Sequence, residues 1–152
     1  MLTVDFVSHA QEWIAAWNAH DLERILTCYA DDVELTSPFV AKLMGRSDEL
    51  LRGKPALRHY FARGLKTYPT LRFEIIRLYS GMRSCVLEYR SVNGLRAAEL
   101  MEFNQDGKVL RVVAHYCDEG VARELTLPML TEADRWDFTI RGEVNDTPNR
   151  LT

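Results

Sequence analysis

The stretch SCVLEYRSVNGLRAAELMEF, residues 84–103, decides the fold. Apolar and polar side chains alternate on both sides of its central dipeptide, Asn93-Gly94. Alternation with a period of two predicts β-strands, and Asn-Gly is the dipeptide that two-residue hairpin turns prefer. The stretch therefore predicts two antiparallel strands, Ser84–Val92 and Leu95–Phe103.

The rest of the chain extends this hairpin into a mixed fold. A period of two also marks three other segments, and apolar residues recur at helical spacing in three segments near the N-terminus. No regular element is predicted for 39–52. Helices followed by an antiparallel meander are typical of an α+β fold, with a curved sheet wrapped around the helices. The further predicted strands are 33–36, 71–79 and 109–116, and the predicted helices are 6–17, 22–30 and one that begins at Gly53-Lys54-Pro55.

The composition excludes several classes of protein. The chain has 152 residues and a net charge of -3, so it fits one domain and carries no basic surplus for nucleic acid. It contains no apolar run of the ~20 residues that a membrane span needs, and no signal peptide is apparent. Cys28, Cys85 and Cys117 are odd in number and widely spaced, which indicates reduced thiols. We therefore expect a cytoplasmic protein that contacts neither nucleic acid nor membrane.

The hairpin also predicts which side chains share a face of the sheet. A two-residue turn at Asn93-Gly94 places Arg90 opposite Ala97 and Glu88 opposite Glu99, all on one face. Two carboxylates and an arginine would then lie together. A register shifted by one residue is the alternative, in which both glutamates face water and other residues of the hairpin, Leu87 and Tyr89, fill the core.

Four phrases of the sequence resemble a known family. They are WNAHDL at 17–22, YADDV at 29–33, RGKPAL at 52–57 and EFNQDGKV at 102–109. In this order they resemble the SnoaL-like and ketosteroid-isomerase-like proteins of the nuclear transport factor 2 superfold. The resemblance implies a cone-shaped curved antiparallel sheet wrapped around three N-terminal helices (a cystatin-like α+β barrel), with a pocket inside the cone.

The resemblance also implies a domain plan and a partner. Residues 1–117 would form the cone, and 118–152 would be a C-terminal extension that packs on the domain or on a dimer partner. The outer sheet face would carry apolar side chains, which suggests a covered surface. Because relatives commonly dimerise through this face, we expect a homodimer, with the tail around Trp136 as the competing cover. The apolar residues assigned to this face are Leu87, Tyr89, Ala98, Leu100 and Val113.

Only one catalytic position of the resembled isomerases keeps its chemistry here. The general-base aspartate falls on Ser37, the oxyanion-hole tyrosine on Trp13, and a supporting tyrosine on Phe61. The oxyanion-hole aspartate falls on Glu99, which retains a carboxyl group, whereas the acid of the related cyclases falls on Ala114. The resemblance therefore implies neither the familiar isomerase mechanism nor the familiar cyclase mechanism.

The predicted catalytic pair is Glu99 and Glu88. Facing carboxyls in a poorly solvated pocket favour one protonated group, which can donate to an oxyanion while its partner acts as base. Glu99 would be the acid or oxyanion donor, and Arg90 would orient a polar group. We expect no metal and no cofactor, since ligand clusters and phosphate-binding motifs are missing from the sequence.

The predicted ligand-binding residues are mostly aromatic. For each aromatic residue an ordinary place in the core is the alternative, and for Ser37 it is a turn at the end of a strand. The predicted function is a cofactor-free acid–base enzyme of isomerase, dehydratase or cyclase type that acts on a small apolar molecule. A non-catalytic ligand-binding or protein-interaction module is the alternative. The ligand-binding set is Trp13, Trp17, Tyr29, Ser37, Phe61, Arg90, Met101 and Tyr116.

Overall fold

The computed structural model describes residues 3–45 and 49–117, and the predicted extension at 118–152 lies outside them. The described first half holds four α-helices and two strands, and the described second half holds the other four strands. The elements are α1 (Phe6–Asn18), α2 (Leu22–Leu26), β1 (Tyr29–Thr36), α3 (Pro38–Met44), β2 (Leu50–Arg52), α4 (Lys54–Thr67), β3 (Glu74–Ser80), β4 (Ser84–Arg90), β5 (Arg96–Phe103) and β6 (Val109–Cys117).

The six strands form one curved sheet in the order β2-β1-β6-β5-β4-β3. All neighbouring pairs are antiparallel except β1 with β6, which run parallel. Buried apolar side chains from one face of the sheet and from the helices make a single core. The predicted α+β fold is confirmed, with one parallel pair added to the expected antiparallel sheet.

Side-chain hydrogen bonds cap the start of α1 and join its end to the segment that precedes β3. Asp5 caps α1, because its carboxylate accepts a hydrogen bond from the Ser8 amide at 3.0 Å. At the other end, the Asn18 side chain exchanges two hydrogen bonds with the backbone of Phe73, at 3.0 and 2.7 Å. His20 Nε2 lies 2.7 Å from the Leu71 carbonyl oxygen. These contacts hold segment 71–73 against the end of α1, beside the cavity described below.

The segment 39–52, for which no element was predicted, contains α3 and β2. Ser37 caps α3 by accepting a hydrogen bond from the Phe39 amide at 3.2 Å, and Pro38 occupies the first turn. Gly45 ends the helix with a φ of 63°, a conformation that glycine adopts without strain. The expectation of three helices is therefore wrong by one, because α3 is too short to show periodicity.

The hairpin between β4 and β5 has the predicted turn but not the predicted register. Asn93 and Gly94 both have positive φ, and the Leu95 amide donates to the Val92 carbonyl at 3.1 Å. Ser91 also donates its amide to the Leu95 carbonyl, at 2.6 Å, so two residues of one strand oppose one of the other. This arrangement is a β-bulge, and it shifts the pairing by one residue.

The shift changes which side chains face the helices. Leu87 now pairs with Glu99, and Tyr89 pairs with Ala97, all on the buried inner face. Glu88 pairs with Ala98 on the outer face, so the predicted pairing of Glu88 with Glu99 is wrong. The placement of Leu87 and Tyr89 on the outer face is also wrong.

We predict that the two hairpin faces differ in their effect on stability. Leu87→Ala should lower the free energy of unfolding by about 2–5 kcal/mol, because it removes a fully buried side chain. Val86→Ala, on the half-buried outer face, should cost less than about 1.5 kcal/mol. Urea unfolding of both variants measures this order. The register predicted from the turn alone would reverse it, since Val86 would then be the inner residue.

Candidate functional site

A cavity of about 70 Å³ lies between the inner face of the sheet and the helices. At roughly 10–15 Å³ for each water-sized group, it accommodates a small molecule. Most of its wall is aromatic, with a few hydroxyl groups and one carboxyl. The aromatic wall residues are Trp13, Trp17, Tyr29, Phe39, Tyr60, Phe61, Tyr68, Phe73, Tyr89 and Tyr116.

Glu99 is the only carboxyl residue among the described residues of the cavity wall. It is 8% exposed, and Tyr89 donates its phenolic hydrogen to Glu99 Oε1 at 2.6 Å. Burial raises the pKa of Glu99 to about 7, against the lowering effect of the hydrogen bond from Tyr89. The group therefore changes its charge near neutral pH, as a residue that both takes and returns a proton requires.

The phenols around Glu99 remain protonated at neutral pH. Burial raises the pKa of Tyr60 to about 12, although hydrogen bonding to Ser37 opposes the shift. Burial and the nearby charge of Glu99 raise the pKa of Tyr116 further. The same two causes, first burial and then the charge of Glu99, raise the pKa of Tyr89. These hydroxyls can donate hydrogen bonds but cannot serve as bases near pH 7.

The two tryptophans of α1 and Tyr29 of β1 form the opposite part of the wall. Trp13 donates its indole hydrogen to the Tyr29 hydroxyl oxygen at 2.9 Å. The indole nitrogen of Trp17 is buried without a hydrogen-bond partner in the described part of the chain. Burial raises the pKa of Tyr29, and the nearby Trp17 indole opposes this shift, although its contact with Tyr29 does not meet hydrogen-bond geometry.

Most of the predicted ligand-binding set lies in the cavity wall. Ser37 is 2% exposed there, so it has a place in the cavity as well as its role in capping α3. Met101 has the predicted inward direction and is fully buried, but it lies outside the wall, with its sulfur 3.4 Å from His9 Nε2. The predicted residues found in the wall are Trp13, Trp17, Tyr29, Ser37, Phe61, Glu99 and Tyr116.

Glu88 and Arg90 are not in the cavity, so their predicted place beside Glu99 is wrong. Glu88 lies on the outer face, 3.6 Å from Arg96 Nε. Arg90 is exposed and lines a separate, more polar groove of about 440 Å³ at the hairpin end. This groove shares Tyr68, Leu71, Phe73, Ser91 and Val92 with the cavity wall. The bulge at Ser91 is the physical reason for both displacements.

Sequence reasoning missed four polar residues of the wall, which are Tyr60, Tyr68, Tyr89 and Ser91. Tyr89 and Ser91 were missed because the register was wrong by one residue; in the observed register both follow Leu87 on the inner face. Tyr60 lies on the apolar face of α4 beside Phe61, and its helical spacing indicated burial but not a hydroxyl directed at Ser37.

Two kinds of site are missing from the described residues. No group of three His, Cys, Asp or Glu side chains is arranged there to bind a metal ion. Across 3–45 and 49–117, none of the helices has the length and apolar character to cross a membrane.

The chain is similar to members of one known protein family. The model of the SnoaL-like domain family matches residues 10–117. A SnoaL-like protein of unknown function from Burkholderia thailandensis is 37% identical, with a TM-score of 0.71 over 77% of this chain and 100% of that one. No curated protein matches the chain.

More distant structures share the fold. A putative ketosteroid isomerase from Kribbella flavida is 19% identical, with a TM-score of 0.58 over 73% of this chain and 76% of that one. An NTF2-like protein of unknown function from Cytophaga hutchinsonii is 10% identical, with a TM-score of 0.57 over 80% of this chain and 97% of that one.

We predict that Glu99 makes stability fall as pH rises. Its pKa is raised from 4.5 to about 7 by folding, so the folded state holds the proton more tightly than the unfolded state. The associated stability is present below pH 4.5 and is lost as pH rises through 7, a loss on the order of a few kcal/mol. Glu99→Gln should abolish this part of the pH dependence.

Urea unfolding of both proteins at pH 5, 6, 7 and 8 measures the difference. As pH rises, the free energy of unfolding of wild type should fall relative to that of Glu99→Gln. Parallel curves over this range would contradict the raised pKa.

Proposed function

Because the chain belongs to the SnoaL-like domain family, we propose that it is a cofactor-free acid–base enzyme of isomerase type that acts on a small, mainly apolar molecule. The buried Glu99 carboxyl carries this proposal, since it lies in the wall of an aromatic cavity and titrates near neutral pH. Isomerase-type chemistry is common in this family, and a perturbed carboxyl in a cavity marks a candidate proton-transfer group.

Glu99 performs both halves of the proton transfer in this proposal. With Glu88 on the outer face, no other group of the described wall accepts a proton near pH 7. The carboxylate removes a proton from a carbon atom next to an electron-withdrawing group, and the resulting carboxylic acid returns it to another position. Hydrogen bonding from Tyr89 occupies Oε1, which leaves Oε2 for the transferred proton. Phenolic hydroxyls stabilise the negative charge that develops meanwhile.

We predict that Glu99→Gln removes proton transfer without preventing ligand binding. Small ketones that raise the melting temperature of the protein would be incubated with it in D₂O, and exchange of their α-hydrogens followed by NMR. The wild-type protein should accelerate exchange, with a rate that rises with pH to a plateau above about 7. Glu99→Gln should lower the rate by roughly 100-fold or more, because general-base catalysis contributes about that much.

Glu88→Gln is the matched control, because it makes the same chemical change on the outer face. It should leave the exchange rate within about twofold of wild type. Equal rates for wild type and Glu99→Gln, with the ketone still bound, would remove the enzymatic proposal.

A non-catalytic ligand-binding function is the second candidate, and the cavity itself favours it. At the two positions where the resembled enzymes carry a catalytic aspartate, this cavity presents Ser37 and Ala114. A wall with a single carboxyl and several hydrogen-bond donors can bind a polar molecule without transforming it. Binding without acceleration of exchange, in the experiment above, supports this candidate.

A homodimer is also proposed, through the outer face of β3 to β6. The strand registers place Tyr79, Val86, Leu100 and Val113 side by side across this face. This outer apolar row continues across four strands, and Tyr79 is 49% exposed. An apolar row across a sheet face suits a symmetric contact with a second copy. The cytoplasmic location remains a prediction from the sequence.

We predict that Leu100→Glu converts a dimer into a monomer. A carboxylate in the middle of the outer apolar row would be buried without a partner in a symmetric interface. Size-exclusion chromatography with light scattering measures the mass. Met82→Glu, at a side chain that is 97% exposed outside the row, is the control and should remain dimeric. A monomeric wild-type protein would show that this face is not a dimer interface.

A further inference from the structure

We propose that the Tyr29 hydroxyl donates the hydrogen bond that holds the ligand in the cavity, and that Trp13 positions this hydroxyl. The ligand class that fits is a small, uncharged, mainly apolar molecule with a carbonyl or similar acceptor oxygen. The inference deepens the proposed function, because it assumes that the cavity binds a small molecule and adds which residue recognises it.

The direction of one hydrogen bond carries the argument. An indole N–H can only donate, so the Tyr29 oxygen must accept in its 2.9 Å contact with Trp13. The hydrogen of the Tyr29 hydroxyl is therefore not used in this contact and must point elsewhere. The residue is 2% exposed, so bulk water is not its ordinary partner.

No acceptor for that hydrogen is found among the described residues. Burial and then the nearby charge of Glu99 raise the pKa of Tyr29, but the hydrogen bond to the Glu99 carboxylate comes from Tyr89. The Trp17 indole nitrogen beside Tyr29 is itself an unpartnered donor, nine-tenths buried in the same wall. Buried donors without acceptors are costly, and two in one cavity wall indicate that the occupant supplies an oxygen.

The surrounding rings hold this donor in place before any ligand arrives. Trp13 stacks on Phe73 with ring centroids 5.7 Å apart and meets Tyr89 edge-on at 5.0 Å. Tyr29 packs against Phe61 at 5.4 Å. A donor fixed in this way loses little freedom on binding, which favours affinity. Its hydrogen is also polarised, because a hydroxyl that accepts a hydrogen bond becomes a better donor.

Two probe molecules of nearly the same shape test the inference. Cyclohexanone has an acceptor oxygen, and methylenecyclohexane has a CH₂ group in its place. Titration of the ¹⁵N-labelled full chain, followed through backbone and indole N–H signals, gives a dissociation constant for each. We expect wild type to prefer the ketone by about tenfold, the size of one net hydrogen bond.

Tyr29→Phe should reduce this preference to nearly one while leaving the affinity for methylenecyclohexane within about twofold. The matched control is Tyr79→Phe, which removes a phenolic hydroxyl from the outer face of the sheet, outside the cavity, and it should keep the preference. Trp13→Phe should lower the preference two- to threefold. A merely structural role of Trp13 would weaken both probes equally and leave the ratio unchanged.

Tyr29→Phe leaves the Trp13 indole without its acceptor, so the single variant can fail to fold. The double variant Trp13→Phe with Tyr29→Phe removes donor and acceptor together, and it should fold and bind both probes about equally. A ketone preference that persists in either variant, equal affinities in wild type, or failure of both probes to bind would each overturn the inference.

The same experiment separates this inference from the proposed function. Glu99→Gln should keep the ketone preference, because Tyr29 is intact, while it loses hydrogen exchange. Exchange that depends on Glu99 without any ketone preference would overturn only the role of Tyr29. A preference that depends on Tyr29 without exchange would overturn only the enzymatic proposal.

Discussion

One buried carboxyl group constrains the rest of this cavity. Glu99 lies on the inner face of β5, where its cross-strand neighbours are Leu87 and Ala114. A carboxyl in such surroundings gains a hydrogen bond, has a raised pKa, or both, and both are true of Glu99. Tyr89 donates to it at 2.6 Å, and burial brings its pKa to about 7. The small side chain of Ala114 leaves space on its other side, which opens onto the cavity.

Small residues on the inner face allow the tyrosines to gather around this group. Ala97 is the Cα partner of Tyr89 on one side and of Tyr116 on the other. A larger residue between the two rings would fill the space that their hydroxyls occupy. The alternation of small and aromatic residues thus keeps the cavity open in a core that is otherwise closely packed.

The sequence predicted five of the six strands and the inward direction of Glu99 and Met101, but neither β2 nor the details of the hairpin. Alternation is a property of each strand by itself, so it identified β4 and β5 correctly. Their register depends on how many residues the turn region contains, and one additional residue at Ser91 exchanges the two faces of β4. That exchange put Tyr89 in the core and Glu88 outside. The register alternative weighed from the sequence was also incomplete, because it moved both glutamates to water.

The contact between Trp13 and Tyr29 could not be predicted from periodicity at all. These residues lie on α1 and β1, and nothing in the spacing of either element specifies that an indole meets a hydroxyl. At the position where resembled isomerases carry an oxyanion-hole tyrosine, this chain has Trp13, which lacks the hydroxyl. The residue that contacts Trp13, Tyr29, has a hydroxyl group. Its oxygen accepts the hydrogen bond from Trp13, so its own hydrogen points elsewhere. In the proposed scheme, the donor therefore lies on β1 and not on α1. Among the described wall residues, Glu99 alone titrates near neutral pH and hydroxyl donors surround it, an arrangement suited to reactions in which the same carboxyl takes a proton and returns it.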